Sequence, residues 1–333
     1  MGKKLSVKFV CALLCAAILT GALAMPAAAQ DGQISTDLLE EVAEDYEVNE
    51  DFLELISRYY WLKESTFLDC AVKYKLPAQY VQRFVEDYFV FKKGDDFEYI
   101  PVDHSLPKNS YDWSLLVRGD EDHEVWYEQN GVPLARKGID VSEFQGDINW
   151  EKVKAQGIDF AFIRLGYRGY STGKINLDKK FKKNMENAIN AGIQVGVYFY
   201  SQAITTKEAV EEAQFVLDYL DGYDIAYPVV FDIEGAPSAS ARTNKLTPQK
   251  ASNIAIAFCD EIQQAGYETM VYSYTKYFVE KMDLSLLTQY NTWLAQYYEQ
   301  PFFPYEFDIW QYTSAGKVNG IKGHVDMNLH FID

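Results

Sequence analysis

YPVVFDIEG, residues 227–235, is an apolar run that ends abruptly in two carboxylates. Val229, Val230, Phe231 and Ile233 are β-branched or aromatic and suit a buried strand, whereas Asp232 and Glu234 stand two residues apart. On a strand that spacing turns both side chains to one face, with Cα atoms about 6.5 Å apart. Neighbouring like charges drive their pKa values apart, which is one way a protein obtains an acid and a base from the same chemistry. The competing reading is an ordinary strand end whose Asp caps a following turn.

On either side of this run, strand and helix patterns alternate. KGIDVS at 137 reads as a strand, a helix follows around Trp150 to Gln156, and FAFIRLGYR at 160 is a second strand. A helix from Asp178 to Ala191 leads through Gly192 to the strand QVGVYFYS at 194. An amphipathic helix from Thr206 to Leu220, opening with a Thr cap and Glu208, leads into the 227–235 strand. Thr247-Pro248 opens another helix, which ends near Gly266, and TMVYSY follows at 269. Beyond that, YNTWLAQY at 290, FDIWQYTS at 307 and HVDMNLHF at 324 are strands separated by little more than loops. Eight strands, the first five each followed by a helix, predict an α/β fold: an irregular eight-stranded (β/α) barrel of parallel type, similar to a TIM barrel. Periodicity alone leaves a doubly wound open sheet as competitor; polar residues at the ends of many separate strands favour the barrel. Catalytic groups of such barrels lie at the C-terminal strand ends. Closure makes the first and last strands neighbours, so Asp140 and Asp326 should lie side by side, with Asp232 and Glu234 facing them across the mouth.

The 333 residues, 48% hydrophobic and 15% aromatic, are enough for a large barrel and a smaller domain. Residues 1–29 read as a signal peptide: lysines at 3, 4 and 8, an apolar run from Phe9 to Leu23, then MPAAAQ with its cleavage site after Ala29. Cys15 lacks the small residue that should precede a lipoprotein cysteine, so a secreted or wall-associated protein is expected, with no integral membrane segment after cleavage. Residues 30–93 carry apolar residues at helical spacing and a weak repeat of period 28, in which AEDYEVNEDFLELI from Ala43 aligns with AVKYKLPAQYVQRF from Ala71. They are expected to form a small all-helical module of two hairpins, serving as a spacer or as a wall- or protein-binding module. Residues 94–136, broken by Gly94, Pro101, Pro107, Gly119, Gly131 and Pro133, read as a linker with some strand, and residues 137–333 as the barrel.

Losing Lys3, Lys4 and Lys8 takes the formal charge from −18 to −21, and residues 31–136 carry 24 acidic against 10 basic side chains. Such a surface argues against nucleic acid and against electrostatic attraction to an anionic wall or membrane. Any bound polymer is then recognised by shape, stacking and hydrogen bonds. Cys11 and Cys15 leave with the leader, so Cys70 and Cys259 read as buried free thiols. His104, His123, His324 and His330 lack any paired-ligand spacing, and no metal site is expected.

GIDVSEFQGDINW at 138, IRLGYRG at 163, GVYFYS at 196, PVVFDIEG at 228, WLAQY at 293 and IWQYTSAGKVNGIKGHVDMN at 309 together resemble glycoside hydrolase family 25, the Chalaropsis-type lysozymes, over residues 137–333. The resemblance implies a secreted N-acetylmuramidase without cofactor, which cleaves the β-1,4 bond between N-acetylmuramic acid and N-acetylglucosamine in peptidoglycan glycan strands. It implies that Glu234 is the general acid and that Asp232 is its ionised partner, orienting the substrate acetamido group, with Asp140 and Asp326 completing the catalytic set. A retaining, substrate-assisted route and an inverting route through water both remain open. Tyr198, Tyr272, Trp293, Gln296, Tyr297 and Trp310 stand at strand ends as sugar platforms and hydrogen-bond donors, or else as barrel packing. LGYRGYSTG at 165 departs from the family's common turn and puts subsites near Tyr167 and Arg168 in doubt. A chitinase-like family 18 barrel lacks support because the aspartates of its longer signature are missing before Asp232. A silent peptidoglycan binder should have lost one central carboxylate, and both are present.

Overall fold

In the computed structural model, which describes residues 32–121, 124–236 and 238–332, eight strands close into a barrel. They are β1 (Ala135–Val141), β2 (Phe160–Arg168), β3 (Gln194–Ser201), β4 (Val229–Ile233), β5 (Thr269–Tyr274), β6 (Asn291–Ala295), β7 (Ile309–Gly316) and β8 (Val325–Phe331). Neighbours from β1 to β7 run parallel, and β8 closes the ring antiparallel to both β7 and β1. The parallel-type expectation therefore fails at the last strand. Only residues 317–324 join β7 to β8, too few for a parallel crossover, which needs about a dozen residues. The reversal brings the start of β8 to the mouth where the other strands end, and Asp326 pairs with Asp140 across the closing seam. A short strand, Ile175–Leu177, folds back antiparallel on β2.

Helices α1 (Trp150–Ala155), α2 (Phe181–Asn190), α3 (Thr206–Leu220), α4 (Pro248–Gln264) and α5 (Thr275–Lys281) follow the first five strands. Thr205 caps α3 by accepting from the Glu208 N–H, and Thr247 caps α4 from the Lys250 N–H with Pro248 in the first turn, where its missing donor costs nothing. Both faces of β4 are buried, but they differ. Val229, Phe231 and Ile233 meet the helical layer, Phe231 against Phe258 of α4 at 5.0 Å between ring centroids, while Val230 lies in a separate interior cluster with Phe160, Phe162, Met270 and Trp293. Gly138 is required here, because any Cβ would run into the Phe160 ring inside the barrel.

Among the described residues no helix follows β6 or β7 in the chain, and apolar residues lie on the outer faces of β6 to β8. Residues 99–134, most of the stretch 94–136 expected to form a linker with some strand, supply the cover and belong to the barrel's own compact unit. Tyr111 packs on Phe331 at 4.3 Å and donates from its hydroxyl to the Phe307 carbonyl, and Trp113 stacks on Phe307 at 6.2 Å. A three-stranded sheet, Leu116–Arg118, Val125–Gln129 and Val132–Pro133, completes this layer. Cys259 is a free thiol on the buried face of α4.

A second compact unit takes in the described chain to Glu86 together with Lys92–Glu98. It is not all-helical: strands Gln33–Ser35 and Trp61–Lys63 pair antiparallel, each leading into a helix pair, Thr36–Ala43 with Glu50–Ile56 and Glu64–Lys73 with Ala78–Gln82. Strand and helix starts recur 28 residues apart, and the Thr36 N–H to Tyr60 carbonyl bond is mirrored by the Glu64 N–H to Gly32 carbonyl bond. Three-residue strands fall below what side-chain alternation reveals in a sequence. Phe52, Phe67 and Tyr80 fill the centre, and the Tyr80 hydroxyl donates to the Leu39 carbonyl at 2.8 Å. Cys70 is a buried free thiol in this unit. Residues 1–29, expected to be a signal peptide, and His123 lie outside the described residues. Among the described residues no helix is long and apolar enough to cross a membrane.

Candidate active site

Strand alternation carries Asp140, Asp232 and Gln311 into the barrel interior, and Glu234 and Asp326 stand at its rim. Asp140 is 7% and Asp232 4% exposed. Beneath them lies an aromatic floor. Phe162 stacks on Trp293 at 4.5 Å, Tyr272 tilts against Trp293 at the same separation, and Tyr198 meets its edge at 6.3 Å. The Trp293 indole N–H donates to Asn328 Oδ1 at 2.8 Å, which fixes that amide so that its Nδ2 donates to Asp140 Oδ2 at 2.9 Å. Gln311 Nε2 donates to the same Asp140 oxygen at 2.8 Å, while Gln311 Oε1 accepts from the Tyr272 hydroxyl at 2.9 Å and the Tyr297 hydroxyl at 2.7 Å. Every polar group in this chain has its partner, as a buried network requires.

The Asp232 and Glu234 carboxyls hydrogen-bond to each other, and Asp232 Oδ1 is buried with no hydrogen-bond partner among the described residues. Gln202, fully buried, holds the Glu234 backbone: its amide reaches the Glu234 carbonyl at 3.4 Å and the Tyr200 hydroxyl at 3.2 Å, and its oxygen accepts from Thr243 at 2.9 Å. Burial pushes all four carboxyls up. Asp140 is held well above the usual range by burial and then by the neighbouring Asp326 charge, against the pull of Asn328 and Gln311. Asp232 is likewise raised, by burial first and then by Glu234 and Asp140, with Arg164 opposing. Glu234 rises to about 7 and Asp326 to about 6, both chiefly through burial. Asp232 was expected to stay ionised beside a neutral Glu234. Both carboxyls are instead raised, Asp232 by burial and then by its acidic neighbours, Glu234 chiefly by burial.

Of the other residues picked out in the sequence, Tyr198, Tyr272 and Tyr297 stand in the electrostatic field of these carboxylates. Trp293 is only 1% exposed, so it is floor and not an open platform. Gln296 and Trp310 point away from the mouth. Trp310 lies 6.5 Å from Trp113 in the outer layer, its indole N–H donating to the Gln296 carbonyl at 2.7 Å. The Gln296 side chain organises the following loop, donating to Thr275 Oγ1 and accepting from the Phe302 N–H. Period-two alternation accounts for this: Ile309 and Gln311 face inward, so Trp310 between them faces out. Gln311, Asn328 and Gln202 escaped the sequence reading, although the same alternation would have placed Gln311 and Asn328 inside. Arg168, in the departing LGYRGYSTG stretch, also points outward and pairs with buried Glu212 at 2.6 Å.

The chain is 26% identical over 193 residues to the autolytic lysozyme of Clostridium acetobutylicum, covering 58% of this chain and 55% of that one. Lysozyme M1 of Streptomyces globisporus is 28% identical over 201 residues, covering 58% of this chain and 66% of that one, so the chain spans between half and two-thirds of the length of these relatives. Among solved structures, the modular autolysin LytC of Streptococcus pneumoniae superposes with a TM-score of 0.53 at 26% identity, covering 74% of this chain and 57% of that one; it has also been solved with a synthetic peptidoglycan ligand. The family model for glycosyl hydrolases family 25 matches residues 139–321, more than half of the chain, which takes in Asp140, Asp232 and Glu234 and stops just short of Asp326. With the closed barrel and the carboxylates gathered at one mouth, that match means the chain belongs to glycosyl hydrolases family 25.

Proposed function

We propose that the barrel is a peptidoglycan hydrolase of the muramidase type, cleaving the β-1,4 bond between N-acetylmuramic acid and N-acetylglucosamine. The observation that carries this reading is the Asp232–Glu234 pair at the mouth, with Glu234 raised to about 7 and the buried Asp232 Oδ1 without a partner among the described residues. A carboxyl near 7 is suited to give its proton to a leaving glycosidic oxygen at neutral pH. An orphaned buried oxygen calls for a donor, and the N–H of a 2-acetamido group is a donor of that kind.

In this scheme Glu234 protonates the leaving oxygen while Asp232 accepts the acetamido N–H and turns the acetamido oxygen onto the anomeric carbon. Water then opens the cyclic intermediate, with Glu234 as base, and configuration is retained. Asp326, raised only to about 6, supplies negative charge near the positive centre that develops at the sugar, and Asp140 pairs with it across the seam and ties it to the Gln311 and Asn328 network. NMR of the first product decides the route: a β anomer supports retention, and an α anomer means inversion through water. Residues 1–29 are proposed to export the chain to the wall, and the N-terminal unit to act as a spacer.

Turbidity of a peptidoglycan suspension tests the reading. Wild type is expected to clear it and Glu234→Gln to leave it turbid; a wild type that binds without clearing would mean a silent binder.

A further inference from the structure

Phe144 is 81% exposed, on the loop that follows β1 at the mouth. Exposure of a whole phenylalanine costs hydrophobic free energy, and a flexible loop could tuck it away. This loop is built stiff. Ser142 Oγ accepts from the Phe144 N–H at 3.3 Å, Gln145 Oε1 accepts from the Ser142 N–H at 2.9 Å, and the Glu143 N–H donates to Asp178 Oδ2 at 3.0 Å.

One face of the Phe144 ring rests on the Arg164 guanidinium, 4.9 Å from its centroid, and Tyr167 flanks the same guanidinium at 5.2 Å. Arg164 is 9% exposed and lies close enough to Asp232 and Tyr198 to act on both electrostatically, so the ring continues the carboxylate site outward. The charge beneath it is already neutralised: Arg164 Nε donates to Asp178 Oδ2 at 2.8 Å, and Glu143 stands at 3.5 Å. An anion therefore gains little there, whereas the C–H face of a neutral pyranose gains a flat apolar surface.

We propose that Phe144, backed by Arg164, is a stacking platform for a sugar ring of the glycan strand next to the cleaved bond. The inference rests on the hydrolase reading above. It also gives a use to the stretch after β2, since Tyr167 helps to hold the cation that supports the platform.

The test uses the full chain with Phe144→Ala and Phe144→Trp, following release of reducing ends from purified peptidoglycan. Phe144→Ala is expected to raise KM about tenfold with kcat held within about twofold, and Phe144→Trp to keep KM near wild type. Both should melt with wild type, because the ring buries little. In the Glu234→Gln background, calorimetric binding of soluble glycan fragments should weaken by about the same tenfold on adding Phe144→Ala. If wild type hydrolyses glycan and Phe144→Ala matches its KM, the platform is overturned and the hydrolase reading stands. If wild type releases no reducing ends, the hydrolase reading fails and the platform with it. A wild-type dimer abolished by Phe144→Ala at unchanged KM would make the ring a protein contact instead.

Discussion

Replacing Glu234 with Gln keeps the shape and hydrogen-bonding capacity of the protonated side chain and removes a charge that the site resists. Burial holds Glu234 up to about 7 in the folded protein, against about 4.3 in an unfolded chain. Between those limits the folded state keeps a proton that the unfolded state has released. The resulting stability is fully present below about pH 4 and is lost as pH rises through about 7. Gln does not titrate, so the variant escapes that loss. Each tenfold change in an ionisation constant is worth about 1.4 kcal/mol, which sets an upper figure of about 3.8 kcal/mol. Partial exposure at the mouth and the neighbouring Asp232 carboxyl reduce this to about 2 kcal/mol. For a barrel of this size that is about 4–8 °C in melting temperature. Melting followed by circular dichroism from pH 4.5 to 8 should show Glu234→Gln above wild type by that margin at pH 8 and level with it at the acid end. A variant less stable than wild type at pH 8, or an offset independent of pH, would refute the claim that burial strains this carboxylate.

Three further outcomes follow from the same geometry. The pH profile of kcat/KM should fall above about pH 7 as Glu234 loses the proton it donates, and an activity that climbs to pH 9 would exclude it as the acid. Gln311→Leu removes a donor from Asp140 and strands the buried Tyr272 hydroxyl; it should cost about 2–4 kcal/mol in thermal unfolding and lower kcat about tenfold or more at little change in KM. Trp310→Leu opens space between the barrel wall and Trp113, so it should lose about 2–4 kcal/mol of stability with KM unchanged, whereas a raised KM would place Trp310 in the site after all.

The barrel was legible because its first seven strands are runs of β-branched and aromatic residues, five of them each followed by a helix with a clear cap or breaker, as at Thr205, Thr247 and Gly192. Closure made the strands of Asp140 and Asp326 neighbours, but the two side chains meet at the mouth only because β8 is reversed. The direction of β8 was not legible, since a strand pattern carries no polarity; only the shortness of residues 317–324 betrays it. Trp310 and Gln296 were misjudged because residue type outweighed phase. Trp and Gln fit a sugar site by chemistry, but their positions in β7 and just past β6 are out of register with the interior. Residues 99–134 looked like a linker because Gly and Pro break every period there. Tyr111, Trp113 and Tyr127 held the contrary signal, because three large aromatics in a short stretch need a surface to cover. Phe144 stands within GIDVSEFQGDINW, but its exposure is a property of the folded loop and not of the residue.

Digested peptidoglycan carries the answer to the central claim in its new reducing ends. Mass spectrometry of fragments released by wild type should find N-acetylmuramic acid at those ends, and none should appear with Glu234→Gln. N-acetylglucosamine ends, or equal release by the variant, would contradict the account.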